Sequence, residues 1–191
     1  MPTPPTAGRA RRVMRELAIP AATALAMAFV VQSAVAKPFE VPTGSMEPTI
    51  MPGDRVIANR LIYRTRDVRR GDVVVFSPPA AARVTCNRAD PFVKRVVGLP
   101  GDRVTVVDGG PTLVNGAPLS VEGPRVPHYG MAFPSVPPGH LLVLGDNRDA
   151  SCDGHMWSTG HSSRDPFVPM DAVIGQAEVT YWPPSRLRLL N

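Results

Sequence analysis

Ser45 stands in VPTGSMEPTI (residues 41–50), behind Gly44 and between Pro42 and Pro48, with no histidine near it along the chain. A serine hydroxyl attacks a carbonyl only when a base takes its proton. Serines in Pro- and Gly-containing stretches mostly serve turns, so a base must be found before Ser45 counts as a nucleophile. Residues 92–97, FVKRVV, offer one. In a strand Phe92, Lys94 and Val96 share one face and Val93, Arg95 and Val97 the other, so each face sets a cation between two apolar residues. If both faces are covered, a cation is held away from water. Arginine cannot shed its proton there, but lysine can. Burial lowers a lysine pKa by up to about 3–5 units, and the neutral amine is a general base. The competing reading is a surface lysine with its stem on apolar neighbours.

Ser-Lys pairs are a variant of serine-nucleophile chemistry, and the residues around Ser45 suit it. Gly44 lets the backbone approach a scissile carbonyl closely. Thr43 can aim its hydroxyl at an oxyanion beside the Ser45 N–H. Met46 is expected to line an apolar, membrane-facing region with Ser45. His128, His140, His155 and His161 are the candidate bases for an ordinary Ser-His-Asp triad, but no motif ties any of them to Ser45.

The elements that must position these residues read as β. The runs 55–62, 72–76, 92–97, 103–107, 140–144 and 173–182 are short, rich in Val, Ile, Leu and aromatics, and bounded by turn residues. Asp108-Gly109 and Asn115-Gly116 flank Thr112–Val114 as two successive hairpin turns. The 23 prolines and 16 glycines argue against long helices. Residues 77–82 and 123–139 read as Pro-rich loops, and 151–169 as irregular. A mostly β body of antiparallel sheets follows.

Residues 1–16 are rich in Pro and Arg and read as a disordered basic cytoplasmic tail. Leu17–Ala36 carries no charge over 20 residues, which as a helix spans about 30 Å, the hydrocarbon thickness of a bilayer. The arginines before it place the N-terminus in the cytoplasm and residues 37–191 outside, as an extracytoplasmic catalytic domain. Ala34-Val35-Ala36 also fits the end of a cleavable secretory signal, so a retained anchor and a removed one both stand. The net charge of +5 comes without a basic helix or an aromatic-basic pattern, which sets nucleic acid aside as a partner. Cys86 and Cys152 could form one disulfide outside the cytoplasm.

Four segments in order carry a family resemblance: VPTGSMEPTI, RGDVVVF (70–76), FVKRVVGLPGD (92–102) and GDNRDASCD (145–153). Behind an N-terminal apolar run, this set resembles that of type I signal peptidases, membrane-anchored Ser-Lys endopeptidases that remove signal peptides from exported preproteins. The resemblance implies a body of coiled antiparallel β-sheets, a lipid bilayer and preprotein signal peptides as partners, small substrate side chains at the first and third positions before the cut, and no cofactor or metal. It makes Ser45 the nucleophile, Lys94 the general base and Thr43, with Ser45, the oxyanion donors. Ser151 takes the place of the serine that hydrogen-bonds the lysine amine. Gly145, Asp146 and Asp153 fall in the supporting motif, with Arg95 the partner of Asp146. The family continues Asp-Ser-Arg where this chain has Asp153-Gly154-His155, so either His155 or Arg164 stands for the arginine. A disulfide between Cys86 and Cys152 is favoured over a zinc site built from them with His155 and His161, whose spacing is loose. The alternatives are a related Ser-Lys peptidase that processes conjugation proteins, a self-cleaving Ser-Lys repressor-type protein and a non-enzymatic exported β domain. The repressor type calls for a DNA-binding helical domain, and none is visible.

Overall fold

The computed structural model describes residues 16–25, 27, 35–121, 124–157 and 165–190. It divides into two compact units, residues 1–36 and 37–191. In the first, residues 16–25 are helical and expose Leu17, Ile19 and Leu25. The expectation of a spanning helix over Leu17–Ala36 is not supported: among the described residues no helix is long and apolar enough to cross a membrane. Residues 26 and 28–34 of that run, with most of the basic tail, lie outside the described residues, and Ala36 already opens a strand.

Among the described residues, the second unit is built on twelve strands: β1 (Ala36–Val41), β2 (Asp54–Asn59), β3 (Val73–Phe76), β4 (Phe92–Gly98), β5 (Val104–Val106), β6 (Thr112–Val114), β7 (Ala117–Pro118), β8 (Met131–Ala132), β9 (His140–Leu144), β10 (Phe167–Pro169), β11 (Val173–Trp182) and β12 (Arg188–Leu189). Three short helices join them: α1 (Ile62–Thr65), α2 (Ala80–Thr85) and α3 (Gly154–Trp157). One sheet runs β1-β2-β11-β3-β4-β9-β10, with β12 beside β11, and a small sheet runs β7-β6-β5-β8. All the strand pairs with a defined register are antiparallel. In the small sheet Val114 pairs with Ala117 across Asn115-Gly116, both at positive φ, as a two-residue hairpin turn of this kind demands.

Position in the sheet explains β4. It pairs with β3 on one side and β9 on the other, and all seven of its residues are buried. Phe92 and Val96 enter an apolar cluster with Val74, Phe76, Leu141 and Trp157. Val93 joins a second cluster with Met46, Ile50 and Val73, and Val97 a third with Val104, Leu142 and Leu144. Lys94 and Arg95 are therefore both held inside the body, as burial of both faces requires.

Candidate active site

The nucleophile candidate sits on a 3-10 turn, Gly44–Met46, whose own hydrogen bond runs from Glu47 N–H to Gly44 O (3.1 Å). Met46 and Ile50, both fully buried, moor this turn in the core. Met46 thus does not line a membrane-facing surface as expected; its side chain is the anchor that lets Ser45 stand at the core's margin. Val41 O accepts from Gly53 N–H (2.8 Å), which closes the loop that carries the turn.

Lys94 reaches this turn from β4. Its Nζ lies 2.7 Å from Ser45 Oγ and 3.1 Å from Val93 O. Ser45 is 6% and Lys94 4% exposed. Burial pushes the lysine pKa down to about 8, with Arg88 adding to the fall and Asp153 and Asp146 opposing it. An amine of that pKa is neutral in roughly a tenth to a fifth of molecules at physiological pH, where an ordinary lysine is almost wholly protonated. Thr43 Oγ1 donates to Ser45 Oγ at 3.3 Å, so the two hydroxyls and the amine form one cluster.

The segment after β9 backs this cluster. Gly145 faces it: a Cβ there would collide with Ser151 Oγ and Ser45 O, so only glycine lets the two segments close. Asp146 receives both Arg95 Nε (2.8 Å) and Nη2 (2.6 Å), a bidentate pair that neutralises the second β4 cation, and accepts from Thr49 Oγ1 as well. Asp153 Oδ2 accepts from Gly145 N–H (2.7 Å). Its Oδ1 accepts from His155 N–H (3.2 Å) and lies 2.7 Å from His155 Nδ1, whose ring stacks on Tyr129 at 4.4 Å. His155 thus occupies the position beside Asp153; Arg164 and His161 lie outside the described residues. Ser151 is buried at the cluster, yet among the described residues its Oγ has no hydrogen-bond partner, so the bond to the lysine amine that the resemblance implies is not made.

Cys86 and Cys152 are joined, which ties the end of α2 to the segment bearing Ser151 and Asp153 and removes both thiols from any zinc set. The bridge forms one wall of a groove of about 520 Å³. Ser45, Thr43 and Lys94 open onto it, and Phe39 and Val41 of β1 and Phe92 and Val93 of β4 give it apolar flanks. Of the other histidines, His128 is engaged by Asp149 and His140 by Pro138 O, and neither has a bond to Ser45. Three residues that shape the site were not singled out from sequence: Thr49, Asn147 and Arg88. The first two lie inside the quoted motifs, where a hydroxyl and an amide were available as signals; nothing in the sequence distinguishes Arg88.

A family model described as signal peptidase, peptidase S26, matches residues 14–182. The chain belongs to this family. Probable signal peptidase I-2 of Synechocystis is 40% identical over 172 residues, 88% of this chain and 73% of the relative. Signal peptidase I of Leptolyngbya laminosa is 39% identical, over 84% of this chain and 76% of that one. Signal peptidase I of Mycobacterium tuberculosis is 33% identical, over 92% and 75%. A solved signal peptidase I from Enterococcus faecalis aligns with 58% of this chain and 97% of its own, at 24% identity and a TM-score of 0.43. This signal peptidase family member is accordingly a serine peptidase, a hydrolase of peptide bonds.

Proposed function

We propose that this family member cuts signal peptides from exported preproteins with Ser45 as nucleophile and Lys94 as general base, working at the outer face of a membrane. The observation that carries the proposal is the 2.7 Å separation between Lys94 Nζ and Ser45 Oγ, with the lysine buried and its pKa pushed down to about 8. Neutral Lys94 takes the Ser45 proton as Oγ adds to the scissile carbonyl carbon. The oxyanion is received by the Ser45 N–H, which the turn's own hydrogen bond leaves out, and by the Thr43 hydroxyl once it swings from Ser45 Oγ. Each such donor contributes about 3–4 kcal/mol in the transition state. The Lys94 ammonium then protonates the departing amine. A water molecule, deprotonated by the same amine, releases the acyl group and restores Ser45.

The apolar groove between β1 and β4 suits an extended peptide with small side chains near the cut. The uncharged run 17–36, preceded by arginines and exposing Leu17, Ile19 and Leu25, supports a bilayer as the site of work. Ser45→Ala, Lys94→Ala and Lys94→Arg are each expected to stay folded and lose cleavage of a preprotein. The arginine variant is the sharpest of the three, since a guanidinium holds its charge and cannot accept the serine proton. Cleavage retained by any one of them ends the Ser-Lys proposal.

A further inference from the structure

Asn147 joins the two segments that build the site, and no step above employs it. Its backbone N–H donates to Ser45 O (3.1 Å) and its side-chain Nδ2 to Gly44 O (3.0 Å). These carbonyls belong to the peptide units on either side of the Ser45 Cα, so one residue sets both backbone torsions of the nucleophile. The first unit matters most. Gly44 O and the Ser45 N–H are opposite ends of one planar, trans peptide group, so holding the oxygen fixes where the N–H points. A hydrogen bond to that oxygen also polarises the group and makes its N–H a stronger donor.

Asn147 is itself held firmly. It is buried, the preceding Asp146 is tied to Arg95 and Thr49, and the following Arg148 is buried and bonded to the Thr112 hydroxyl of β6. Gly44 contributes by being glycine, since a Cβ there would meet the Glu47 carboxylate at 2.6 Å. We propose that Asn147 is a positioning residue that aims the Ser45 N–H at the developing oxyanion. The proposal rests on Ser45 being the nucleophile.

Asn147→Ala and Asn147→Leu test it; the leucine keeps the bulk of the amide, and both keep the backbone bond to Ser45 O. Removing an oxyanion donor costs about 100- to 1000-fold in kcat, so misdirecting one is expected to cost about 10- to 100-fold. KM should stay within about twofold, because ground-state contacts are untouched. The rising limb of the pH profile should keep its midpoint near pH 8, since Lys94 is not disturbed. A peptide aldehyde, which forms a tetrahedral adduct with a serine hydroxyl, should bind more weakly by the same factor as kcat/KM falls. A kcat per titrated site within twofold of wild type in either folded variant overturns the proposal. So does a loss carried wholly by KM or by fewer competent sites, which marks a merely structural role. Ser45→Ala is run beside them: cleavage by that variant removes the nucleophile itself, whereas an inactive Ser45→Ala with a fully active Asn147→Leu removes the positioning role alone.

Discussion

Lys94 carries opposing demands on activity and stability. In the unfolded chain its amine titrates near 10.5, and in the folded protein burial moves it to about 8. Below pH 8 both states hold the proton, and the native state bears the whole cost of a buried ammonium. Between 8 and 10.5 the native state has released the proton while the unfolded chain retains it, so stability rises with pH. The gap corresponds to about 3 kcal/mol, at one pKa unit per 1.36 kcal/mol. Lys94→Met is therefore expected to melt several degrees above the wild type at pH 7, with the advantage gone by about pH 10.5, while cleavage is lost. Cleavage by the wild type should meanwhile climb about tenfold per pH unit up to a midpoint near 8. Thermal melts of both proteins across this range, with kcat/KM of the wild type, check the pair of expectations. A melting difference that does not change with pH would show that the lysine bears no such cost. Arg95, its neighbour, escapes the problem by pairing with Asp146. From sequence alone the two cations were nearly equivalent, each set between two apolar residues. Read from the strand pattern, only lysine's ability to lose a proton singled out Lys94; the partner of Arg95 came from the resemblance, and the fold makes that pair with Asp146.

At the level of elements, the strands with the strongest patterns were legible. The runs at His140–Leu144 and Val173–Trp182 coincide with β9 and β11, and those at 72–76 and 92–97 differ from β3 and β4 by one residue at an end. Lys37-Pro38 and Glu40 broke the pattern of β1, and β10 is three residues ending in Pro169; both close the ends of the large sheet, where a missing N–H is tolerated. The helix α2 hid in a stretch that reads as a Pro-rich loop, because Pro79 caps it and its alanines carry no periodic signal. In the site, residue types within the motifs were readable, but contacts made to backbone carbonyls were not. Asn147 grips Gly44 O across a sequence separation of 103, and no side-chain pattern encodes that. The disulfide belongs to this scale too, because it joins α2 to the segment ahead of α3 across a separation of 66 residues. A closed loop of that length contributes up to about 4 kcal/mol in the chain-entropy model. It also walls the groove and holds Cys152 between Ser151 and Asp153. Reduction is therefore expected to lower both the melting temperature and the rate of preprotein cleavage. Melts and rates with and without reductant, with thiols counted by mass, check it; full activity and an unshifted melt in fully reduced protein would assign the bridge no part in either.

The whole molecule joins a catalytic body to an apolar run that ends at Ala36, and residues 37–44 are all that separate that run from Ser45 along the chain. If the run stays in a bilayer, the nucleophile works close to the membrane surface, where the end of a signal peptide emerges. Substrates with an apolar segment should then be cut faster in detergent or lipid than short soluble peptides. The same chain offers Ala34-Val35-Ala36 before Lys37, small residues of the kind its own family removes. Two observations argue that this bond is spared. The Ala36–Lys37 link is the first of β1, which is hydrogen-bonded to β2, and a bond at the head of a paired strand is less free to enter another enzyme's groove. β1 is also the edge strand of an eight-stranded sheet, so drawing residue 36 into a groove would mean peeling the start of that strand away. N-terminal sequencing of protein extracted from membranes is expected to find the residues before Leu17 still attached. A start at Lys37 would mean that the run is a removed signal, and that the preference for apolar substrates in lipid must come from the body alone.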